Sequence, residues 1–456
     1  MATTVETGDG GAAPEAVDEA VVGEIEAFVR AMVEQFEREQ PTPVAANGVR
    51  GPGRPKVLPA LALWAGVVVC VLRGMPQQSA LWRLLSTRGL WEYPRFPVTD
   101  QAVYNRLERD GAAPLERLFA QVSAVLATRL APYTQRTLAP FATEVVALDQ
   151  TTLDQVARWL PALRGAPAGD AHLLPGKLAG LFDLRRQQWR TLVPITNVHQ
   201  NEKVAAPELI AGLPKGSLIL ADLGYFSFAW FDQLTDAGHF WLSRLRQKTS
   251  YTLVHTFYHR GDTLDAIVWL GEYRADRAKH AVRLVQFSVG GHLYRYITNV
   301  LDPHRLSPAD MARLYARRWD IELAIKLCKR ELHLHLLWSA KPVVIAQQVW
   351  AVLLIAQILQ ALRLEIAGKA GVDPFDVSLP LLVQYLPQFI ADGHDPVAII
   401  VELGRAAGFI RPSSRTKLSA PAIPPDDIDP LPPDTVLQRP HRYAHRNCGP
   451  RAKSLC

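Results

Sequence analysis

The segment Val145–Asp149 reads Val-Val-Ala-Leu-Asp, and the segment Leu218–Asp222 reads Leu-Ile-Leu-Ala-Asp. Each is a short apolar run of the kind that forms a buried strand, and each ends abruptly in an aspartate. Within the run, an aspartate would carry an uncompensated buried charge at a cost of several kcal/mol. At the end of the strand, its carboxylate can reach solvent and ligands. The two runs therefore predict an α/β fold with two acidic side chains at the edge of its sheet.

A third carboxylate stands on a helix predicted over about residues 307–332. Tyr315, Arg318, Glu322 and Lys329 follow one another at steps of three, four and seven residues. At about 100° per residue, these steps place all four within a stripe roughly 60° wide on one helix face. Glu322 can bind a cation there, while the basic side chains neutralise phosphate oxygens. Taken alone, such a stripe is equally typical of a solvated, charged helix face.

The three carboxylates Asp149, Asp222 and Glu322 together favour catalysis. Such a trio is the arrangement that holds two Mg²⁺ ions roughly 4 Å apart for in-line phosphoryl transfer, and Mn²⁺ is expected to substitute. Asp320 falls roughly 160° from Glu322 on the helix and is the poorer metal ligand. The side chains expected to position phosphates are Tyr315, Arg318, Lys326 and Lys329. A tyrosine nucleophile is the weaker alternative, because the carboxylates already account for the chemistry.

These residues resemble the DDE transposases of the insertion sequence 4 family, whose signature is Tyr-x2-Arg-x3-Glu-x6-Lys. The resemblance covers roughly residues 140–365 and extends to Asp149–Thr152, Asp222–Ser227 and Leu242–Leu245. Leu223 departs from the family, which often has a basic residue there, but no metal ligand is affected. The resemblance implies cut-and-paste transposition through a hairpin on the transposon end, with two protomers pairing the two ends.

The resemblance also implies a ribonuclease-H-like catalytic core, interrupted by a β-rich insertion subdomain. The core is predicted in two parts, residues 139–248 and the signature-helix segment 301–340, and the insertion is predicted at 249–300. In relatives, the insertion helps to bind the cleaved end, and an aromatic side chain there can hold a flipped base. Trp269 is the residue we assign to this role, with a core position as the alternative. Arg244, in the matched segment before the insertion, is assigned to DNA binding.

The region before the core is predicted to contain an N-terminal helix (1–40), a Pro/Gly linker (41–59) and a helical DNA-binding region (60–138). Within the linker, Gly53–Lys56 reads Gly-Arg-Pro-Lys. This sequence is typical of extended segments that lay an arginine, here Arg54, in a narrow minor groove. A plain linker is the alternative.

The segment Val98–Leu107 has the pattern of a DNA recognition helix. Thr99 or Asp100 can cap its start, and an apolar pair can face the core. Glutamine and asparagine read adenine edges, while arginine reads guanine or phosphate. The residues left for such contacts include Gln101, Asn105 and Arg106. A solvated polar helix is the alternative, in which case the DNA ends are recognised elsewhere.

Composition agrees with a DNA-binding enzyme of several domains. The 456 residues carry a formal charge of +6, which suits a polyanionic partner but is a weak indication alone. C-terminal helices are predicted over 341–410 and a disordered, basic, Pro-rich tail over 411–456. The sequence shows no phosphate-binding loop of the GxxxxGK[ST] type, so ATP-driven chemistry is unsupported.

The sequence also predicts a compartment. The four cysteines form no CxxC pair, and the chain opens with polar and acidic residues, so neither secretion nor a zinc site is indicated. Ala60–Leu72 is too short to span a bilayer, which needs about 20 residues, and Pro342–Leu362 contains four glutamines. Both are predicted as buried helices. The expected location is the bacterial cytoplasm, at the nucleoid, without a membrane.

Two other functions are compatible with the same residues. One is a catalytically silent, sequence-specific DNA-binding protein that descends from such an enzyme. The other is a nuclease of the same fold that cuts DNA without joining it. The intact acidic trio argues against the first alternative.

Overall fold

The computed structural model describes residues 57–75, 77–90, 95–153, 176–195, 197, 199–271, 277–339, 341–413 and 418–439. The predicted N-terminal helix, most of the linker with Arg54, and the basic end at 440–456 lie outside these residues. The described residues fall into two compact units, and each is presented by itself. The first draws on residues 1–126 and 331–413, and the second on residues 127–330 and 414–456.

Helices and strands are numbered here in chain order. The helices are α1 (Ala60–Leu72), α2 (Gln78–Arg83), α3 (Asp100–Asp110), α4 (Ala113–Arg129), α5 (Glu202–Ile210), α6 (Phe228–Asp236), α7 (Pro308–Arg317), α8 (Trp319–Lys326), α9 (Pro342–Ala370), α10 (Leu379–Ala391) and α11 (Pro396–Leu403). The strands are β1 (Val145–Thr152), β2 (Lys177–Asp183), β3 (Gln188–Ile195), β4 (Leu218–Leu220), β5 (Phe240–Arg244), β6 (Tyr251–Arg260), β7 (Thr263–Leu270), β8 (Val282–Val289) and β9 (His292–Thr298). The protein is thus of mixed α/β class, as the sequence predicts.

The first unit is helical, with α9 as its longest helix. Pro342 occupies the first turn of α9, where its missing N–H is not needed, and Gly371 ends the helix with φ of 64°. By length and composition α9 could cross a membrane, but 72% of its apolar window is buried, and core helices of soluble proteins meet the same criterion. Gln347 donates hydrogen bonds to the carbonyls of Leu107 and Gly111 at 2.7 and 2.8 Å. The prediction of a buried helix is confirmed.

The second unit is built on one nine-stranded sheet, with the strand order β3-β2-β1-β4-β5-β9-β8-β7-β6. Strand β1 runs parallel to β4, and β4 runs parallel to β5, whereas the other pairs are antiparallel. The carboxyl ends of β1, β4 and β5 therefore meet at one edge of the sheet. Strands β6–β9, which occupy the segment of the predicted insertion, continue this same sheet through the pairing of β9 with β5.

One face of the sheet is covered by α5 and α6, whose apolar side chains form the main core with β1, β2 and β4. Phe231 of α6 stacks on Trp241 of β5 with ring centroids 4.1 Å apart. Leu148 and Ile219, on the two central strands, are fully buried in the same cluster. Burial of each large apolar side chain of this kind contributes about 2 kcal/mol. The core thus fixes β1, which carries Asp149, and β4, which precedes Asp222.

The opposite face over β6–β8 is covered by residues 418–439, which we call the C-terminal strap. Its Ile428, Leu431 and Leu437 pack against a small cluster. The buried members of that cluster are Phe257, Ile267 and Ala281. The prediction of a disordered tail is therefore wrong for residues 418–439, because their spaced apolar side chains cover a sheet face that would otherwise be exposed.

Backbone hydrogen bonds fix the strap in place. The amide of Asp429 donates to the carbonyl of Phe257 at 2.8 Å, and the amide of Ala281 donates to the carbonyl of Leu437 at 2.8 Å. The strap is thus held at two points along its length.

The predicted helix over about residues 307–332 is interrupted in the structure. Helix α7 ends at Arg317 and α8 begins at Trp319, because the amide of Arg318 bonds to the carbonyl of Tyr315, only three residues back. Beyond α8, Leu327–Glu331 forms a π-helical turn. Ser307 caps α7, since its hydroxyl accepts a hydrogen bond from the Asp310 amide at 3.1 Å.

Candidate active site

Asp149 and Asp222 follow paired positions of two neighbouring strands. The parallel register pairs Ala147 of β1 with Leu220, the last residue of β4, and each aspartate comes two residues later. Adjacent strands are about 4.8 Å apart. The Oδ1 atom of Asp222 accepts a hydrogen bond from the Gly224 amide at 2.8 Å. Asp222 therefore follows the end of its strand, as the sequence predicts. Asp149 does not, because β1 continues to Thr152 through its pairing with β2.

Glu322 reaches the same region from α8, which packs against β1. The pKa of Asp149 is raised to about 7, and burial is the largest cause. The negative charges of Glu322 and Asp222 also raise this pKa, whereas the Gln150 amide and the Arg318 charge lower it. The three predicted carboxylates thus act on one another electrostatically.

The three carboxylates are chemically suited to bind a divalent cation. Carboxylate oxygens are the preferred ligands of hard cations, and mutually repelling carboxylates are stabilised by one. Among the described residues, however, no three His, Cys, Asp or Glu side chains are arranged to hold a metal ion. The Glu322 carboxylate is paired with a protein cation, since its Oε1 is 2.7 Å from Nη2 of Arg318.

Lys329 lies on the π-helical turn and reaches the end of β1. Its Nζ donates to Oγ1 of Thr151 at 3.1 Å and to the carbonyl of Thr152 at 2.6 Å. Both partners follow Asp149 closely in the same strand. The cation thus stands beside the acidic edge, as the signature spacing predicts, although through a π-helical turn and not a regular helix.

Tyr315 is buried, with only 5% of its surface exposed. Its ring lies 5.0 Å from that of Tyr296, and the guanidinium groups of Arg244 and Arg318 lie 5.5 and 5.9 Å from its centroid. Burial raises the pKa of the Tyr315 phenol. The ring therefore orients two arginines, and a protonated, buried phenol is a poor nucleophile.

Trp319 is an exposed aromatic residue beside the acidic edge that the sequence did not single out. Half of its surface, 50%, is exposed. Arg318 and Lys326 place their cationic groups 5.8 and 5.6 Å from its ring. Lys326 thus lies beside an open aromatic face. The available signal in the sequence was a large apolar residue next to Arg318, at a helix position that does not face the core.

Asp320 is excluded from ligand binding by its own contacts. It is buried, and its carboxylate accepts hydrogen bonds from Arg317 at 2.6 Å and from Gln187 at 2.9 Å. These contacts agree with the prediction that Asp320 is a poorer ligand than Glu322, which stays a prediction.

Trp269 is half-buried in the cluster beneath the C-terminal strap. The Arg439 guanidinium lies 5.2 Å from its ring centroid. The structure therefore gives Trp269 the packing role that was the alternative, and base holding by Trp269 stays a prediction.

Helix α3 forms where the recognition helix is predicted, with Thr99 as its cap. Gln101 and Asn105 are exposed and hydrogen-bonded to each other at 2.7 Å. The expectation that Arg106 faces a partner is wrong. Its guanidinium pairs with Asp110 and donates to the carbonyl of Leu58 at 3.0 Å.

Sequence reasoning also missed Glu202, Tyr225 and Arg246. The charge of Asp222 acts on both Glu202 and Tyr225. Arg246 donates to the carbonyl of Leu223 at 3.2 Å and covers the Phe226 ring at 5.1 Å. The available signal was the alternation of cations from the last residue of β5 onward, at Arg244, Arg246 and Lys248.

Comparison with known proteins agrees with this geometry. Residues 141–358 match the family model of the transposase DDE domain. The chain is also 26% identical over 172 residues to the transposase InsG for insertion sequence element IS4 of Escherichia coli strain K12. That match spans 36% of this chain and 39% of the relative.

Among solved structures, the chain is similar to a piggyBac transposase synaptic complex with hairpin DNA. The TM-score is 0.39 and the identity is 9%, over 90% of this chain and 86% of the other. The segment that matches the family model contains Asp149, Asp222 and Glu322. Both the family model and the relative from insertion sequence element IS4 are of transposases.

Proposed function

We propose that the protein is a transposase that binds the ends of its insertion sequence, cleaves the DNA there and joins the ends to target DNA. The observation that carries this proposal is the parallel register of β1 and β4, which Asp149 and Asp222 each follow by two residues, with Glu322 on a helix packed against β1. This arrangement falls inside the matched transposase domain.

The sheet supports a ribonuclease-H-like catalytic core. Three antiparallel strands, β3-β2-β1, are followed by β4 and β5 parallel to β1. We assign β1–β5 with α7 and α8 to this core, and β6–β9 to the insertion. The insertion would help to bind the cleaved end.

Asp149, Asp222 and Glu322 would hold two Mg²⁺ ions, and Mn²⁺ would substitute. When bound, such ions activate an attacking hydroxyl and stabilise the departing 3′-oxygen. The surrounding cations would then position phosphates. Arg318, once released from Glu322, presents a planar guanidinium suited to phosphate oxygens, and Lys329 adds a charge at the end of β1. Their contribution is positioning and electrostatic stabilisation.

The partners would be double-stranded DNA and a second copy of the chain. The exposed amides of Gln101 and Asn105 on α3 would contact base edges, and Arg54 would enter the minor groove. A hairpin on the transposon end and a homodimer on paired ends complete the proposal. The protein would work on DNA at the nucleoid, in the bacterial cytoplasm.

A strand-joining reaction tests the proposal. A labelled, pre-cut DNA end from the region flanking the coding sequence is incubated with the full chain, a plasmid target and Mg²⁺. We expect labelled end joined to plasmid by wild type and by Glu208→Gln, an exposed control on α5, but not by Glu322→Gln.

The other outcomes separate the alternatives. Cleavage of uncut flanking DNA without any joining would indicate a nuclease of the same fold. A shifted but chemically unchanged DNA end, with or without EDTA, would indicate a DNA-binding protein that has lost its activity.

A further inference from the structure

Glu202 extends its carboxylate over the turn that follows β4. A Cβ atom added to Gly224 would lie 2.1 Å from Oε2 of Glu202 and 3.0 Å from Oδ1 of Asp222. Any side chain at position 224 would therefore displace the Glu202 carboxylate. Gln150, the residue after Asp149, donates to the Glu202 carbonyl at 3.0 Å and ties the start of α5 to β1. Glycine at 224 thus leaves the space that lets Glu202 stand beside Asp222.

The Glu202 charge has no ion-pair partner within the described part of the chain. The nearest cations, Lys177 and Lys203, donate to the carbonyls of Gln200 and Phe226 at 3.0 and 2.9 Å. Burial raises the pKa of Glu202, and the Asp222 charge also raises it, whereas the charges of Lys177 and Lys203 lower it. The Glu202 and Asp222 carboxylates repel each other, and the two lysines offset only part of this repulsion.

A buried hydroxyl faces the same space. Tyr225 is fully buried, and its phenol oxygen makes no hydrogen bond of good geometry among the described residues. Burial raises its pKa, and so do the charges of Glu202, Asp149 and Asp222. Gln150 is the polar side chain that acts on the phenol and lowers its pKa, and its Oε1 is also buried without a hydrogen bond of good geometry among the described residues. Buried polar atoms are normally satisfied by protein, water or an ion, so this space calls for a polar occupant.

We propose that Glu202 is a fourth carboxylate of the cation site, where it binds one divalent cation together with Asp222. The inference rests on the proposed function, because it adds a ligand to the site of Asp149, Asp222 and Glu322. The Gly224 turn provides the room, and the Tyr225 hydroxyl and the Gln150 carbonyl oxygen supply polar groups around the occupant.

Manganese binding to the full chain without DNA tests this assignment. Free Mn²⁺ is measured by electron paramagnetic resonance during a titration. We expect Glu202→Gln to weaken binding by roughly tenfold or more, the scale seen when groups around metal sites are removed. Glu208→Gln, on the exposed side of the same helix, should bind as wild type does. Gly224→Ala, which keeps the carboxylate but displaces it, should also weaken binding.

Thermal melting separates a ligand from a structural residue. In EDTA, Glu202→Gln should melt at or above the wild-type temperature, because one repelling charge is gone. In Mn²⁺, it should lose most of the wild-type increase in melting temperature. An equal drop of melting temperature in both solutions would overturn the inference.

Two further outcomes distinguish its failure from that of the proposed function. If Glu202→Gln keeps the wild-type Mn²⁺ affinity while Asp222→Asn loses it, Glu202 is not a ligand, but the proposed cation site stands. A wild-type chain that binds no Mn²⁺ at millimolar concentration would contradict both the inference and the proposed cation site.

Discussion

Nη2 of Arg318 lies 2.7 Å from Oε1 of Glu322, one helical turn further along the chain. The ion pair joins two residues of the signature and turns the Glu322 carboxylate toward a protein cation. A divalent cation at the proposed site would therefore compete with Arg318 for Glu322, and the Arg318 charge would repel it.

Removing this competitor should tighten cation binding while it impairs catalysis. For Arg318→Gln we expect Mn²⁺ affinity of the DNA-free chain to rise about fivefold, since a partly exposed pair of this kind contributes about 1 kcal/mol. DNA cleavage should fall, because the phosphate-positioning guanidinium is gone. The control is Arg313→Gln on α7, whose exposed pair with Asp310 leaves the acidic edge untouched. Weaker Mn²⁺ binding by Arg318→Gln would contradict the competition.

Trp319 should contribute to DNA affinity and little to stability. Its ring is half exposed between two cations, and stacking of a base on an aromatic ring contributes about 1–3 kcal/mol. We expect Trp319→Ala to bind its terminal DNA at least fivefold more weakly in a mobility-shift titration, with an unchanged melting temperature. Trp319→Phe keeps an aromatic face and should recover most of the affinity. If wild type, Trp319→Ala and Trp319→Phe bind the DNA with equal affinity, Trp319 does not stack on a base.

A buried ion pair between β7 and β8 should dominate the stability of the sheet extension. Arg283 bonds to Asp265 at 2.7 and 2.5 Å, and their side chains are 0% and 1% exposed. Asp265→Ala leaves an unpaired buried guanidinium and should lower the free energy of unfolding by about 3–5 kcal/mol in urea titrations. Arg190→Ala breaks a more exposed pair with Glu144 and should cost at most about 1 kcal/mol. Similar losses in the two variants would show that burial does not set the cost.

Two adjacent residues of the C-terminal strap provide a matched test of its packing. Leu437 packs against the cluster over β6–β8, whereas 61% of Val436 is exposed. We expect Leu437→Ala to lower the free energy of unfolding by about 1–2 kcal/mol and Val436→Ala by less than about 0.5 kcal/mol. If neither variant loses stability, the strap does not dock in solution.

The sequence predicted the acidic edge because each part of it is local. An apolar run followed by an aspartate indicated both strands without tertiary information. It placed the end of β4 before Asp222, but it missed that β1 continues past Asp149 to Thr152, because those residues pair with the distant strand β2. The signature spacing likewise brought Glu322, Arg318 and Lys329 to one region, although a regular helix does not describe the break at Arg318 or the π-helical turn under Lys329.

What escaped prediction depends on contacts between distant segments. Glu202 reads as an ordinary acid in the first turn of a helix, and only the folded turn at Gly224 shows that its carboxylate reaches Asp222. Pro-rich composition gave no sign that Leu431 and Leu437 dock on a sheet. Arg106 was misassigned although Asp110, four residues on, offered a partner on the same helix face.

Metal-dependent cleavage by the carboxylate edge is the central claim, and one gel tests it. A labelled fragment carrying the DNA that flanks the coding region is incubated with wild type or Glu322→Gln, in Mg²⁺ or in EDTA, and resolved under denaturing conditions. The account predicts cleavage at a discrete position by wild type in Mg²⁺ alone, and a shifted but uncut fragment with Glu322→Gln. Cleavage by Glu322→Gln at the wild-type position and rate would contradict it.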